Sequence, residues 1–152
     1  MPIKSFRGKI ADGDIETVSL HTNDGSIGYK ITKFQIIPEA PGTVAGEHTV
    51  KIFKIPQTTA TATIDLSDNT LLAVAYMENG AGIGNLNPEV IVFDNEIFNQ
   101  DIFVTHVDDN GTAPCNFYFE LEQIKLDLNE NTVATLKDIK NIEASYLWKK
   151  LQ

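Results

Sequence analysis

Three histidines and one cysteine are the side chains of this chain best suited to acid–base, nucleophilic or metal chemistry. His21, His48 and His106 lie far apart, and no two of them have the spacing of metal ligands on one element. His106 and Cys115 flank one predicted turn, where a histidine base could activate a thiol, but no orienting third group or oxyanion donor accompanies them. We predict ordinary strand-end histidines, and a cysteine that acts as a small apolar filler.

Acidic and amide side chains concentrate in two turn regions. They are Asp94, Asn95, Glu96, Asn99 and Asp101 in one, and Asp108, Asp109 and Asn110 in the other. Oxygen ligands from a bent loop suit Ca²⁺, but Asn99 stands where an EF-hand loop needs glycine. Turn capping is the simpler interpretation, and calcium binding is left open. Glu120 and Glu122 share one strand face, as a pair of glycosidase carboxylates could. We predict instead that they form the solvent-exposed face of that strand.

Sequence motifs for nucleotide binding or hydrolysis do not occur in the chain. There is no Walker pattern, no GxGxxG after a strand, no HExxH and no GxSxG elbow. We therefore predict a protein that is not an enzyme and that needs no cofactor or metal.

The composition is that of one ordinary globular domain with an acidic balance. The 152 residues are 42% hydrophobic and 22% charged, with a net charge of −9. Lys and Arg are scattered, so we predict no nucleic-acid partner. The apolar runs are too short to span a bilayer, so we predict no membrane partner. One cysteine excludes an intramolecular disulfide and a thiolate metal cluster, which fits folding in a reducing cytosol.

Short runs of alternating side chains dominate the chain, and alternation places successive side chains on opposite faces of a sheet. The predicted strands are residues 3–9, 15–20, 27–37, 50–55, 71–77, 90–93, 101–107 and 116–126. Turn signals between most of them favour a sandwich or barrel over βαβ units. We predict an all-β fold, an antiparallel β-sandwich of about eight strands that resembles a jelly roll.

The end of the chain has a different period. Apolar residues recur every third position at Val133, Leu136, Ile139 and Ile142, which predicts one short C-terminal helix over residues 131–141. We predict a single sandwich domain over residues 1–145, followed by a tail over residues 146–152.

Turn chemistry also makes specific predictions. Asp24–Gly25 and Asn110–Gly111 predict tight hairpins. The Gly- and Asn-rich residues 78–88 predict a loop, and residues 57–63 predict either a loop or an edge strand.

The longest predicted strand changes phase midway. Tyr29 and Ile31 share one face, whereas Phe34 and Ile36 fall on the other. A β-bulge, or a strand that crosses from one sheet to the other, would explain the change. The alternative is that the outer face is covered by another subunit.

Partner contacts are predicted at both ends of the chain and in two uncharged stretches. The candidate partner-binding residues are Lys4, Phe6 and Arg7 near the N-terminus and Tyr146, Leu147 and Trp148 in the tail. The first group is a basic segment on an acidic body, which suits either an acidic partner or a solvated first strand. The second group either anchors a partner or packs on the chain's own sheet. Residues 56–64 and 79–88 carry no charge and are either lateral contacts or plain surface loops.

Residues 28–34, 93–104 and 117–122 resemble segments of small virion-type structural proteins of marine tailed bacteriophages. The resemblance runs from about Phe6 to Ile142 and lies in strand-like segments. It implies a virion protein, assembled in the host cytoplasm, that decorates and cements the capsid. The implied partners are further copies of this chain and other virion proteins such as the major capsid protein. The alternative is a tail-associated or carbohydrate- or receptor-binding module, with Tyr76 as the candidate aromatic for stacking on a sugar.

Overall fold

A computed structural model describes residues 2–80 and 84–127, and this part of the chain contains eight strands and no helix. The strands are β1 (Ile3–Ile10), β2 (Ile15–Val18), β3 (Ile27–Pro38), β4 (Gly46–Phe53), β5 (Leu71–Gly80), β6 (Gly84–Phe93), β7 (Ile102–Asp108) and β8 (Cys115–Lys125). Each corresponds to a strand predicted from alternation. The all-β prediction is confirmed.

The strands form two antiparallel sheets, with the orders β1-β8-β3 and β2-β7-β4-β5-β6. The pairing is nested, because β1 pairs with β8, β2 with β7 and β4 with β5. A chain that folds back on itself as a doubled ribbon across two layers is a jelly roll. Strand β6 is the exception, since it continues the five-stranded sheet beside β5 instead of joining β3.

One apolar core fills the space between the two sheets. Strand β8 shows how alternation builds it, because every second side chain from Cys115 to Leu121 is buried while those between them reach the surface. The largest buried apolar side chains of the core include Ile10, Phe34, Ile36, Ile52, Phe98, Ile102, Phe119 and Leu121. Each contributes about 1.5–3 kcal/mol by leaving water.

A bulge explains the phase change in β3. The pairing of β3 with β8 shifts register between Ile31 and Lys33, so Thr32 is the extra residue. The extra residue returns the following side chains to the inner face, and Tyr29, Ile31, Phe34 and Ile36 are all buried in the same core. A second subunit is not needed to explain the pattern of this strand.

The two hairpin predictions are wrong. Strands β2 and β3 lie in different sheets, and so do β7 and β8. The turn chemistry itself is present, since Gly25 has a φ of 67°. A turn sequence reverses the chain, but burial of the flanking apolar side chains decides which sheet the next strand joins.

The loop predicted over residues 78–88 is also wrong. Strand β5 continues to Gly80 and β6 already begins at Gly84. Glycine and asparagine have low strand propensity, but pairing with a neighbouring strand outweighs that preference. Residues 57–63, in contrast, form no strand.

The uncharged loop over residues 56–64 contacts the outer face of the five-stranded sheet. The buried Lys51 side chain of β4 donates hydrogen bonds to the Thr61 hydroxyl (3.0 Å) and the Thr63 carbonyl (2.7 Å). Burial lowers the pKa of Lys51, with Asp68 acting in the opposite direction. One side of this loop therefore packs on the five-stranded sheet of the same chain.

The predicted helix over residues 131–141 and the tail with Tyr146, Leu147 and Trp148 lie outside the described residues. So does the boundary predicted at residue 145. Within residues 2–80 and 84–127, no helix is long and apolar enough to cross a membrane.

Candidate functional site

A cluster of polar side chains is buried at one end of the core. His48 on β4 and His106 on β7 are diagonal neighbours on the inner face, because His48 lies opposite Asp108 and Val50 lies opposite His106. Cys115 begins β8 in the other sheet and faces them across the core. One ligand atom from each of these three buried side chains lies within 4.8 Å of the other two.

Hydrogen bonds fix the protonation of the two imidazole rings. His106 Nδ1 lies 3.1 Å from the carbonyl oxygen of Ala11, which can only accept, so this nitrogen carries a proton. In a neutral His106 ring, Nε2 is then an acceptor, and His48 Nδ1 donates to it over 2.9 Å. The rings stack with centroids 5.1 Å apart. Burial lowers the pKa of both histidines, which favours the neutral rings that this chain of bonds requires.

Two positions near the histidines require glycine for different reasons. A Cβ at Gly46 would lie 2.5 Å from His48 Nε2, so a larger residue there would displace the imidazole ring. Gly13 has a φ of 78° at the corner between β1 and β2, where its N–H donates to the His106 carbonyl.

Two buried polar side chains hold the loops at this end of the sandwich. Asp108 accepts hydrogen bonds from the backbone N–H groups of Glu47, Asn110 and Ala113. These bonds lower its pKa although burial acts in the opposite direction. The Asn79 amide donates to the Val44 carbonyl at 2.6 Å. Asp108 thus holds the connection between β7 and β8, and Asn79 holds the connection between β3 and β4.

The cysteine of the cluster is poorly suited to nucleophilic catalysis. Cys115 is fully buried, and burial raises the pKa of its thiol to about 12. The thiolate is the nucleophilic form, and a buried thiol in apolar surroundings is inert. What the group offers instead is two imidazole nitrogens and one sulfur at a spacing that a metal ion could bridge.

This cluster was not predicted from the sequence. The three residues are separated by 58 and 9 positions, and only the pairing of β4 with β7 across from β8 brings them together. One signal was present: Ile102, Val104, His106 and Asp108 alternate in a single phase, which places the last two on the core side of β7.

The acidic corners do not converge on a common point. Asp101 Oδ1 accepts from the backbone N–H groups of Leu20 and His21 and lies 2.7 Å from His21 Nδ1. Glu96 pairs with Lys54, and the Asn99 amide donates to the Gly25 carbonyl. Among the described residues, the His48–His106–Cys115 group is the one cluster with metal-binding potential.

The N-terminal residues predicted to bind a partner face different ways. Phe6 is half-buried, packs against the core and stacks on Phe119 with ring centroids 5.2 Å apart. Lys4 and Arg7 are exposed on β1. Arg7 has no ion-pair partner among the described residues.

Arg7 lines a groove of about 660 Å³ on the outer face of the three-stranded sheet. We call it the basic groove; its lining includes Arg7, Lys9, Lys33, Gln35, Asn116 and Tyr118. The Lys33 ammonium lies 5.9 Å from the centre of the Tyr118 ring. Lys9 is paired with Glu39 at 2.7 Å. The groove thus combines an aromatic ring, amides and three cations, of which Lys9 is paired with Glu39.

An exposed apolar surface lies on the opposite sheet. We call it the β6 patch and define it by Leu66, Val90, Val92 and Phe93, which are 66%, 53%, 44% and 38% exposed. Leu66, Val92 and Phe93 line one hollow of about 330 Å³ together with Leu71 and Val74. Strand β6 pairs only with β5 among the described strands, so the patch borders a sheet edge.

Tyr76, the predicted sugar-stacking residue, is engaged within the chain. Its hydroxyl donates to Glu47 at 3.0 Å, and burial together with this bond raises the pKa of Tyr76 to about 12. The side chain is half-buried in the sheet.

A comparison of the chain with protein-family models and with curated proteins found no match.

Proposed function

We propose that the protein is a non-enzymatic structural component of a bacteriophage virion, one that binds the capsid as a decoration protein and stabilises it through contacts between subunits. The observation that carries the proposal is the β6 patch at a sheet edge. A fold alone hosts many functions, so the argument rests on this surface.

The patch is costly to leave in water. Burying a whole Val or Leu side chain contributes about 1.5–3 kcal/mol, and the four patch residues keep between 38% and 66% of their surface exposed. Contact with a neighbour would therefore recover several kcal/mol in total. An edge strand with exposed apolar residues also pairs readily with another chain. Both properties suit a protein that works in an assembly.

Introducing charge into the patch should abolish assembly and leave the fold intact. We expect the double variant Val90→Asp/Val92→Asp to remain folded, because both side chains are exposed, but to bind its neighbours at least about tenfold more weakly. Sedimentation velocity and co-sedimentation with capsids stripped of the protein would measure this. The matched control is Val44→Asp, a change at a 45% exposed valine in the connection between β3 and β4.

Equal binding by the double variant and the wild-type protein would contradict the role of the patch. If the wild-type protein stayed monomeric and bound no capsid preparation, the proposed function itself would be contradicted.

The basic groove favours a second candidate, a module that binds acidic carbohydrate. Sugars stack on flat aromatic rings, and Arg forms paired hydrogen bonds with carboxylate or sulfate groups. Tyr118 supplies the ring and Arg7 the unpaired cation.

A glycan array would test this candidate. We expect binding of acidic glycans that Arg7→Gln reduces at least about tenfold, while Lys4→Gln, an exposed cation outside the groove, changes little. An array without any bound glycan would remove the candidate.

A further inference from the structure

We propose that His48, His106 and Cys115 form a binding site for one thiophilic metal ion, Cu⁺ or Zn²⁺. This inference does not depend on the proposed virion function. It rests on the geometry of the three side chains and on the hydrogen bond behind one of them.

The spacing of the donor atoms is close to that of a metal shell. Zn²⁺ binds nitrogen at about 2.0–2.1 Å and sulfur at about 2.3 Å, so tetrahedral ligand atoms lie about 3.3–3.8 Å apart. The atoms of this cluster lie within 4.8 Å of one another, and the two imidazole nitrogens are 2.9 Å apart. Side-chain adjustments of about an ångström would bring all three into contact with one ion.

The donor set selects the class of ion. Two imidazoles and a thiolate are soft or borderline ligands, which favour Cu⁺ and Zn²⁺ over Mg²⁺ or Ca²⁺. A three-ligand shell suits Cu⁺, whereas Zn²⁺ would need a fourth donor. The cluster is buried, so we expect a closed structural site and not a catalytic one.

The hydrogen bond behind the His106 ring is also typical of a metal-binding histidine. Metal-bound histidines usually donate their second ring N–H to a carbonyl or carboxylate, and His106 Nδ1 already donates to the Ala11 carbonyl. That bond leaves Nε2 of His106 aimed at the cluster.

Binding requires a defined movement of protons. The Cys115 thiol must release its proton to solvent, because the thiolate is the ligand. The proton on His48 Nδ1 must move to Nε2 of the same ring, so that Nδ1 can bind the ion. One proton is therefore released for each ion bound, with no oxidation or reduction.

Metal titration of the full chain tests the proposal. After treatment with a chelator, the protein would be titrated without oxygen with Zn²⁺, Cu⁺ and, as a spectroscopic substitute, Co²⁺. We expect one equivalent per chain, and for Co²⁺ a thiolate-to-metal charge-transfer band. Cys115→Ser should lose the band, and both Cys115→Ser and His48→Gln should weaken binding at least about a hundredfold, since even outer-shell changes cost 10–100-fold. The matched control is His21→Gln, which removes an exposed histidine outside the cluster.

X-ray absorption on the metal-loaded wild-type protein gives an answer even if a variant fails to fold. One sulfur and two nitrogen ligands would support the proposal, with a three-coordinate shell identifying Cu⁺ and a four-coordinate shell Zn²⁺. No stoichiometric binding, a shell without sulfur, or equal weakening by His21→Gln would overturn it.

Discussion

Replacing Phe119 by alanine should lower the free energy of unfolding by about 3–5 kcal/mol, the usual cost of deleting a buried phenylalanine side chain. Phe119 is fully buried at the centre of β8, and its ring stacks on Phe6 at 5.2 Å and on Phe117 at 6.0 Å. The neighbouring strands hold the backbone in place, so the site cannot collapse to fill the cavity. A loss of this size is a large share of the stability of a domain this long.

Urea unfolding at a fixed protein concentration would measure the change, since assembly makes stability depend on concentration. The control is Ile37→Ala on the adjacent strand β3, where the side chain is 57% exposed and the expected change is within about 0.5 kcal/mol. Similar losses for the two variants would contradict the assignment of Phe119 to the core.

Replacing Glu96 by glutamine should destabilise the protein by about 3–5 kcal/mol, because it leaves a buried cation without its partner. The Lys54 ammonium lies 2.6 Å from Glu96 Oε1, and the two side chains are only 1% and 16% exposed. The backbone N–H of Lys54 also donates to the Thr70 carbonyl. The pair therefore joins the connection between β4 and β5 to the one between β6 and β7.

A double-mutant cycle would separate the interaction energy of the Lys54–Glu96 pair from the cost of burying its two charges. We expect Lys54→Met/Glu96→Leu to recover most of the loss, because replacing both partners of a buried pair with apolar groups is often neutral. Glu39→Gln is the control, since the Lys9–Glu39 pair has a similar distance of 2.7 Å but side chains that are 56% and 42% exposed. Exposed pairs contribute about 0–1 kcal/mol. If Glu96→Gln and Glu39→Gln lowered the free energy of unfolding equally, the Lys54–Glu96 pair would not be buried as described.

The strands could be predicted from the sequence because alternation is a local property. Runs such as Phe117, Phe119 and Leu121 place their own side chains in the core whatever lies opposite. The bulge in β3 was readable for the same reason, since the phase of the pattern changes within one strand.

Pairing between distant strands could not be predicted in this way. The Asp24–Gly25 sequence predicts a tight hairpin, which is wrong, because a turn sequence holds no information about the sheet that β3 joins. The same limit hid the buried cluster. His48 and His106 are neighbours only through the register of β4 against β7, and Cys115 faces them only because the two sheets stack.

Partner binding by the N-terminal residues stays a prediction. Exposure of Lys4 and Arg7 follows from their charge, whereas Phe6 lies on the opposite strand face from Arg7 and packs inward against Phe119. The sequence does not predict the β6 patch, because the Gly- and Asn-rich residues 78–88 predict a loop and leave β6 too short to be recognised as an edge strand.

An image of the assembled form at side-chain resolution is the most direct test of the claim that this protein functions through its β6 patch. We expect Leu66, Val90 and Val92 to contact another chain, either a second copy or a capsid subunit, so that little of their apolar surface remains in water. Particles in which these side chains face solvent while other surfaces hold the protein in place would contradict it.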